Sequence, residues 1–190
     1  QVADSADAWL VECQCSPYES NTTLYPVIHY FKTQVLQFSD DLSEDERTSR
    51  VIGFLTEYGF DEEDISILAE IFDAPIQPST NALVSPDQRH AVIFSGLAQL
   101  LKQRASYQPV LVIFEDLHWA DASTNKLIER LLQERLPSNL LLLLTFRPGY
   151  KPRWLTTENV TRLVVQRLSK KDSGSLIETV YGGEKMDEKI

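Results

Sequence analysis

Two short apolar runs on either side of an amphipathic helix constrain this chain more than any other feature. Residues 110–114 read VLVIF and residues 140–146 read LLLLLTF. The first is uninterrupted and rich in β-branched and aromatic residues, and the second opens with five consecutive leucines. Between them, residues 122–135 place Leu127, Ile128, Leu131 and Leu132 at helical spacing on one face. A continuously apolar strand, unlike an alternating one, is what a parallel sheet buried on both faces demands. Strand, helix, strand in this order predicts an α/β fold with a mainly parallel sheet.

The remaining segments fit that class. Residues 8–15 (AWLVECQC) predict a strand ending at Ser16-Pro17, with Cys13 and Cys15 on the same side. No further Cys or clustered His completes a metal site, so both are expected as buried thiols. Val27, Ile28, Phe31, Val35 and Phe38 predict one helix over 24–38, with Pro26 in its first turn and His29 beside the apolar stripe. Two short helices follow. The first spans roughly 43–58 and stops near Gly59. The second starts at Asp61 and has Ile65, Leu68, Ala69 and Phe72 as its inner face. Residues 74–86, with three prolines, read as a loop. A helix from about Pro86 to Arg104 has Ser85 as N-cap and Val92, Ile93, Leu97, Leu100 and Leu101 as its inner stripe. A further strand is expected over 161–167 (TRLVVQR), and a helix from Ser169 to Tyr181.

The net charge of −10 is concentrated in one place: Asp40 to Asp73 holds twelve acids and two bases, and the rest of the chain is neutral. That distribution argues against direct nucleic-acid binding, which needs clustered Lys and Arg. It predicts a solvated acidic helical face instead. The longest aliphatic run, five leucines at 140–144, is far short of the roughly 20 residues a membrane helix requires. Two cysteines fit a reducing compartment, and a cytoplasmic location is expected. The first residue is Gln, so the chain is expected to begin inside a longer protein.

In open parallel sheets, ligands bind at the carboxyl ends of the strands. Two apolar strands here end in polar groups, Glu115-Asp116 and Thr145-x-Arg147. Adjacent carboxylates at such a place are suited to phosphoryl transfer, where one acid holds Mg²⁺ and the other orients the attacking water. A strand end that merely emerges into solvent would look the same.

The strings VLVIFEDLHWADASTNKLIERLL and LLLLLTFRPGYKPRW decide between these readings. Together they closely resemble the ATPase module of signal-transduction P-loop NTPases. These are the AAA-like STAND regulators fused to class III adenylate or guanylate cyclases, to Ser/Thr kinase domains or to helix-turn-helix transcription regulators. ECQCSPY, TLYPVIHYF and SPDQRHAVIFSGLAQLL also follow the family pattern. The resemblance implies a partial P-loop NTPase core over 1–190, with a helical insertion at about 40–79. It implies that Glu115 and Asp116 are catalytic and hold Mg²⁺ at the Walker B position, and that Arg147 binds the γ-phosphate of ATP; read structurally, Arg147 would instead pair with one of those carboxylates. Glu115 stands where relatives often carry Asp. Asp121 matches the acid of HWAD and is equally suited to cap helix 122–135, and His118 and Trp119 either shape the loop beneath the nucleotide or serve only packing.

One departure is large: the phosphate-binding loop G-x-x-x-x-G-K-[ST] is absent. Without its amides and Lys, this chain is expected neither to bind ATP tightly nor to hydrolyse it. The sheet is then either incomplete at its N-terminal side or paired with another copy. The expected role is as part of an ATP-driven switch acting on an attached output domain or another protein. The alternative is a non-catalytic interaction scaffold.

Overall fold

A computed structural model describes residues 8–74, 76 and 85–180. Its contacts divide the chain into two units, at residues 157 and 158.

The first unit is built on a three-stranded, fully parallel sheet in the order β1-β2-β3. Strand β1 is Trp9–Gln14, β2 is Val110–Glu115 and β3 is Leu140–Leu144. The register sets Val11 beside Val112 and Leu142, and Gln14 beside Glu115. The α/β class and the parallel sheet predicted from the apolar runs are therefore present.

Helix α1, Tyr25–Tyr30, does not continue as the expected single helix to residue 38. It widens into a π-helical turn over Phe31–Val35, in which the Leu36 amide donates to the Phe31 carbonyl at 2.8 Å. The widened turn accompanies full burial of Phe31, whose ring meets those of Trp9, Tyr30, Phe54 and Phe72.

The acidic region forms α2, Glu44–Glu57, and α3, Glu62–Ile71. Ser43 and Glu46 make a reciprocal capping box for α2, and the Asp61 carboxylate accepts from the Asp64 amide at 2.8 Å to cap α3. The predicted apolar face of α3 (Ile65, Leu68, Ala69, Phe72) is buried. Helix α4, Pro86–Ala105, starts at the expected Ser85 cap, which pairs with Gln88. It packs tightly on α3: a Cβ added at Gly96 would sit 2.8 Å from Leu68 Cδ2. Most of the predicted 74–86 loop lies outside the described residues. Helix α5, Ala122–Gln133, buries Thr124, Leu127, Ile128 and Leu131.

The sheet departs from expectation in its cover. Continuous apolar strands predicted burial on both faces, but the helices cover one. Val11, Cys13, Val110, Val112 and Phe114 are buried on that face. On the other, Leu10, Leu141 and Leu143 are exposed, Leu143 by 44%. Topology explains this. The strands are laid down in one direction, β1 to β2 to β3, and right-handed crossovers then put every connecting helix on the same side.

In the second unit, the strand expected at 161–167 does not form. Val164 and Val165 are exposed, Val165 by 94%. Apolar composition alone cannot hold a strand whose amides and carbonyls have no ladder to join. Helix α6, Lys170–Val180, lies within the span expected for it. The Ser169 hydroxyl accepts from the Asp172 amide at its start.

Candidate functional site

The site forms where β1, β2 and β3 end. β2 carries Glu115 to its last position, and the chain then turns sharply at Asp116, which adopts φ 55° and ψ 42°. A left-handed backbone is uncommon outside glycine, and Asp is among the residues that tolerate it. The turn directs the Asp116 amide to Thr145 Oγ1, 3.1 Å away. Thr145 is itself held in place: its amide donates to the Phe114 carbonyl and its carbonyl accepts from the Leu117 amide, both at 2.9 Å.

The Asp116 carboxylate has a partner that the sequence motifs do not contain. Gln14 Nε2 donates to Asp116 Oδ2 at 3.1 Å, and also to the Cys15 carbonyl at 3.1 Å. Gln14 ends β1 in register with Glu115. Its signal in the sequence is positional: it is the last residue of a strand that runs parallel to β2. Glu115 is exposed, and Asp116 is half-exposed. Both acids therefore face solvent at the strand ends, with Asp116 held on two sides.

His118, in the short 3-10 turn Leu117–Trp119, has Nδ1 3.8 Å from Asp116 Oδ1. Both ring nitrogens are buried without a hydrogen-bond partner among the described residues. Its ring also packs on Trp119, with centroids 5.0 Å apart.

Asp121 is committed to the start of α5. Its carboxylate accepts from the amides of Ser123 and Thr124 at 2.8 and 3.1 Å, and from the Thr124 hydroxyl. Asp121 therefore caps α5, and its oxygens are occupied by that role. Asn125 extends the support by donating to the carbonyls of Ala120 and Asp121 and accepting from the Tyr150 hydroxyl.

Arg147 lies on the same edge of the sheet but is exposed. It makes no ion pair with Glu115 or Asp116 among the described residues. Its carbonyl accepts from the Tyr150 amide in a turn. Thus the fold brings Glu115, Asp116, Gln14, Thr145 and His118 together and leaves Arg147 free-standing beside them.

The cysteines beneath the site are free and buried. Burial pushes the Cys15 thiol up to about 12, with the charges of Asp121 and Asp116 adding to the effect. Burial raises Cys13 further, followed by the influence of Cys15. Both thus stay protonated near neutral pH and offer no thiolate.

Hard carboxylate oxygens beside a hydroxyl suit Mg²⁺, which takes one or two protein carboxylates and completes its shell with water and phosphate oxygens. Glu115 and Asp116 would be the residues to hold it. Among the described residues there is no group of three or more His, Cys, Asp or Glu that could hold a metal ion.

The AAA ATPase domain family matches residues 1–143. This chain belongs to the AAA ATPase domain family. The match places the AAA module, a P-loop NTPase type, across the first two strands and most of the third. The AAA chain is also similar to an uncharacterized protein of Rhizobium meliloti (strain 1021), with 22% identity over 160 residues. That alignment covers 82% of this chain and 15% of the relative, so the AAA module here spans only a small part of that protein's length. No solved structure gives a significant match. No helix of the module's described residues is long and apolar enough to cross a membrane.

Proposed function

We propose that this chain is part of an ATP-dependent regulatory module of the STAND type, in which Glu115 and Asp116 form the Walker B acid pair. In this reading, nucleotide binding and slow hydrolysis switch an attached signalling output domain, such as a nucleotidyl cyclase or a transcription regulator. The observation that carries it is the held carboxylate of Asp116 at the end of the central strand, bonded by Gln14 and anchored through its amide to Thr145. A carboxylate fixed in this way and open to solvent can orient a water molecule for attack. Glu115 beside it would hold Mg²⁺, which when bound neutralises phosphate charge. Arg147, exposed on the neighbouring strand end, would reach the terminal phosphate.

These residues do not supply a phosphate cradle, since no glycine loop of the required spacing occurs in the sequence. The 190-residue chain alone is therefore expected to bind Mg-ATP no better than weakly.

The test uses a longer protein that carries this chain together with a glycine loop. Replacing both Glu115 and Asp116 by Ala should abolish ATP turnover with the fold retained by circular dichroism. Unchanged turnover in the double variant would overturn the assignment.

A further inference from the structure

At the opposite end of β1 from Gln14 lies a second concave site. A cavity of about 270 Å³ is lined by Trp9, Gln34, Phe54, Glu57, Tyr58 and Arg104, together with Val35. Four elements build it: the first residue of β1, the π-helical turn, the carboxyl end of α2 and the carboxyl end of α4. Its walls are tied together, because Gln103 Nε2 donates to the Tyr58 carbonyl at 2.8 Å. The π-helical turn places Gln34 and Val35 on its rim, and such turns are frequent at functional sites.

Arg104 is the unusual member. Its guanidinium carbon lies over the Trp9 ring, 5.4 Å from the centroid, within cation–π reach. Its Nε is buried without a hydrogen-bond partner, and Arg104 forms no ion pair among the described residues. With no carboxylate of its own, the guanidinium is suited to a ligand carboxylate, which its N–H fork can meet with two parallel hydrogen bonds.

We propose that this cavity binds a small carboxylate with an aromatic body. The carboxylate meets the edge of Arg104, and the ring packs among Trp9, Phe54 and Tyr58. The volume sets the size, since it falls just below the roughly 300 Å³ at which pockets for drug-sized ligands begin. Glu57, exposed at the mouth, distinguishes two sources of the same chemistry: it favours a carboxylate that also carries an ammonium group, an aromatic amino acid, over the simple acid. The site does not depend on the ATPase reading, because it uses none of the strand-end residues.

The test is calorimetric titration of the 190-residue chain with phenylalanine and, separately, with 3-phenylpropionate. Saturable binding of at least one at or below about 1 mM is expected, with about tenfold or greater loss in Arg104→Gln, the weight of one charge-assisted hydrogen bond pair. If Arg104→Gln does not fold, Gln34→Glu places a repelling carboxylate on the exposed rim and should weaken binding in the same direction. Preference for phenylalanine that disappears in Glu57→Gln identifies the amino acid as the class, and equal binding identifies the simple acid. Absence of saturable binding for both probes, or affinity unchanged in the folded variants, would overturn the proposal.

Discussion

The two faces of the sheet are made from the same three strands yet have opposite fates. Along β2, Val110, Val112 and Phe114 point into a helical layer and are buried, whereas Leu111 and Ile113 on the other face are only partly covered. Along β3 the same alternation is shifted towards water, with Leu140, Leu142 and Leu144 half-buried and Leu141 and Leu143 exposed. Side-chain chemistry does not separate the faces, because leucines stand on both. What separates them is the order of the strands and the right-handed sense of the crossovers, which send α4 and α5 to one side. The comparison teaches that an apolar strand states a demand for cover, and that topology decides which face receives it.

The strongest way to break this comparison is to remove packing from the covered face. Phe114 is 2% exposed, and Phe114→Ala should cost about 3–5 kcal/mol, enough to unfold a marginal domain. Urea unfolding followed by circular dichroism measures it. A loss below that of an open-face truncation would mean the faces are not distinct.

A smaller effect tests the layer that does the covering. Asp121 holds the first turn of α5 through two amides and a hydroxyl. Asp121→Ala should lower stability by about 1–2 kcal/mol by loss of the cap. Because that carboxylate is committed to the helix, Asp121→Asn should recover part of the loss. Failure of Asn to do so would point to a role for its charge.

On the open face, Leu141→Lys with Leu143→Lys should change stability by less than about 1 kcal/mol, since both side chains already meet water. The same pair should reduce self-association, read by gel filtration or light scattering, because exposed leucines on an unpaired edge strand favour it. Large destabilisation would show that the face is covered in solution.

The smallest effect concerns the ion group that links the covering helices. Glu134 accepts from Lys102 and from Arg130, the latter at 2.8 Å. Burial alone would raise its carboxyl, but the hydrogen bonds and charges of Lys102 and Arg130 prevail and hold it below its ordinary value of 4.5. A depressed carboxyl stabilises the fold above its unfolded value and loses that contribution as pH falls. Glu134→Gln should therefore cost no more than about 1 kcal/mol at neutral pH, and the difference from wild type should begin to shrink below the ordinary value of 4.5 and disappear only as pH falls through the lower folded-state value. Denaturation midpoints across pH 3–7 check the sign.

Much of the local structure could be read from residue order. Ser85 ahead of Pro86 and the acids after Asp61 mark helix starts because they answer free amides within three residues. VLVIF marks a strand because its composition and length permit little else. Glu115 and Asp116 stood out as a candidate acid pair because they follow that strand at once. Gln14 did not stand out, as no property of a lone Gln shows that it will lie beside a residue 102 positions away. Only the parallel register of β1 with β2 brings them together.

The same limit governs the errors. TRLVVQR has strand chemistry, but forming a strand depends on a neighbouring edge, which no local pattern reports. The helix over 24–38 has the right period, yet burial of Phe31 coincides with a π-helical turn that periodicity does not reveal. By itself the sequence determined the α/β class, most helix and strand positions, the caps and the strand-end acids, because each depends on residues within a few places of one another. The tertiary structure alone decided which sheet face is covered, that Gln14 holds Asp116, and that Arg104 lies over Trp9 beside a cavity. Those are relations between distant residues, set by how the chain crosses over and packs.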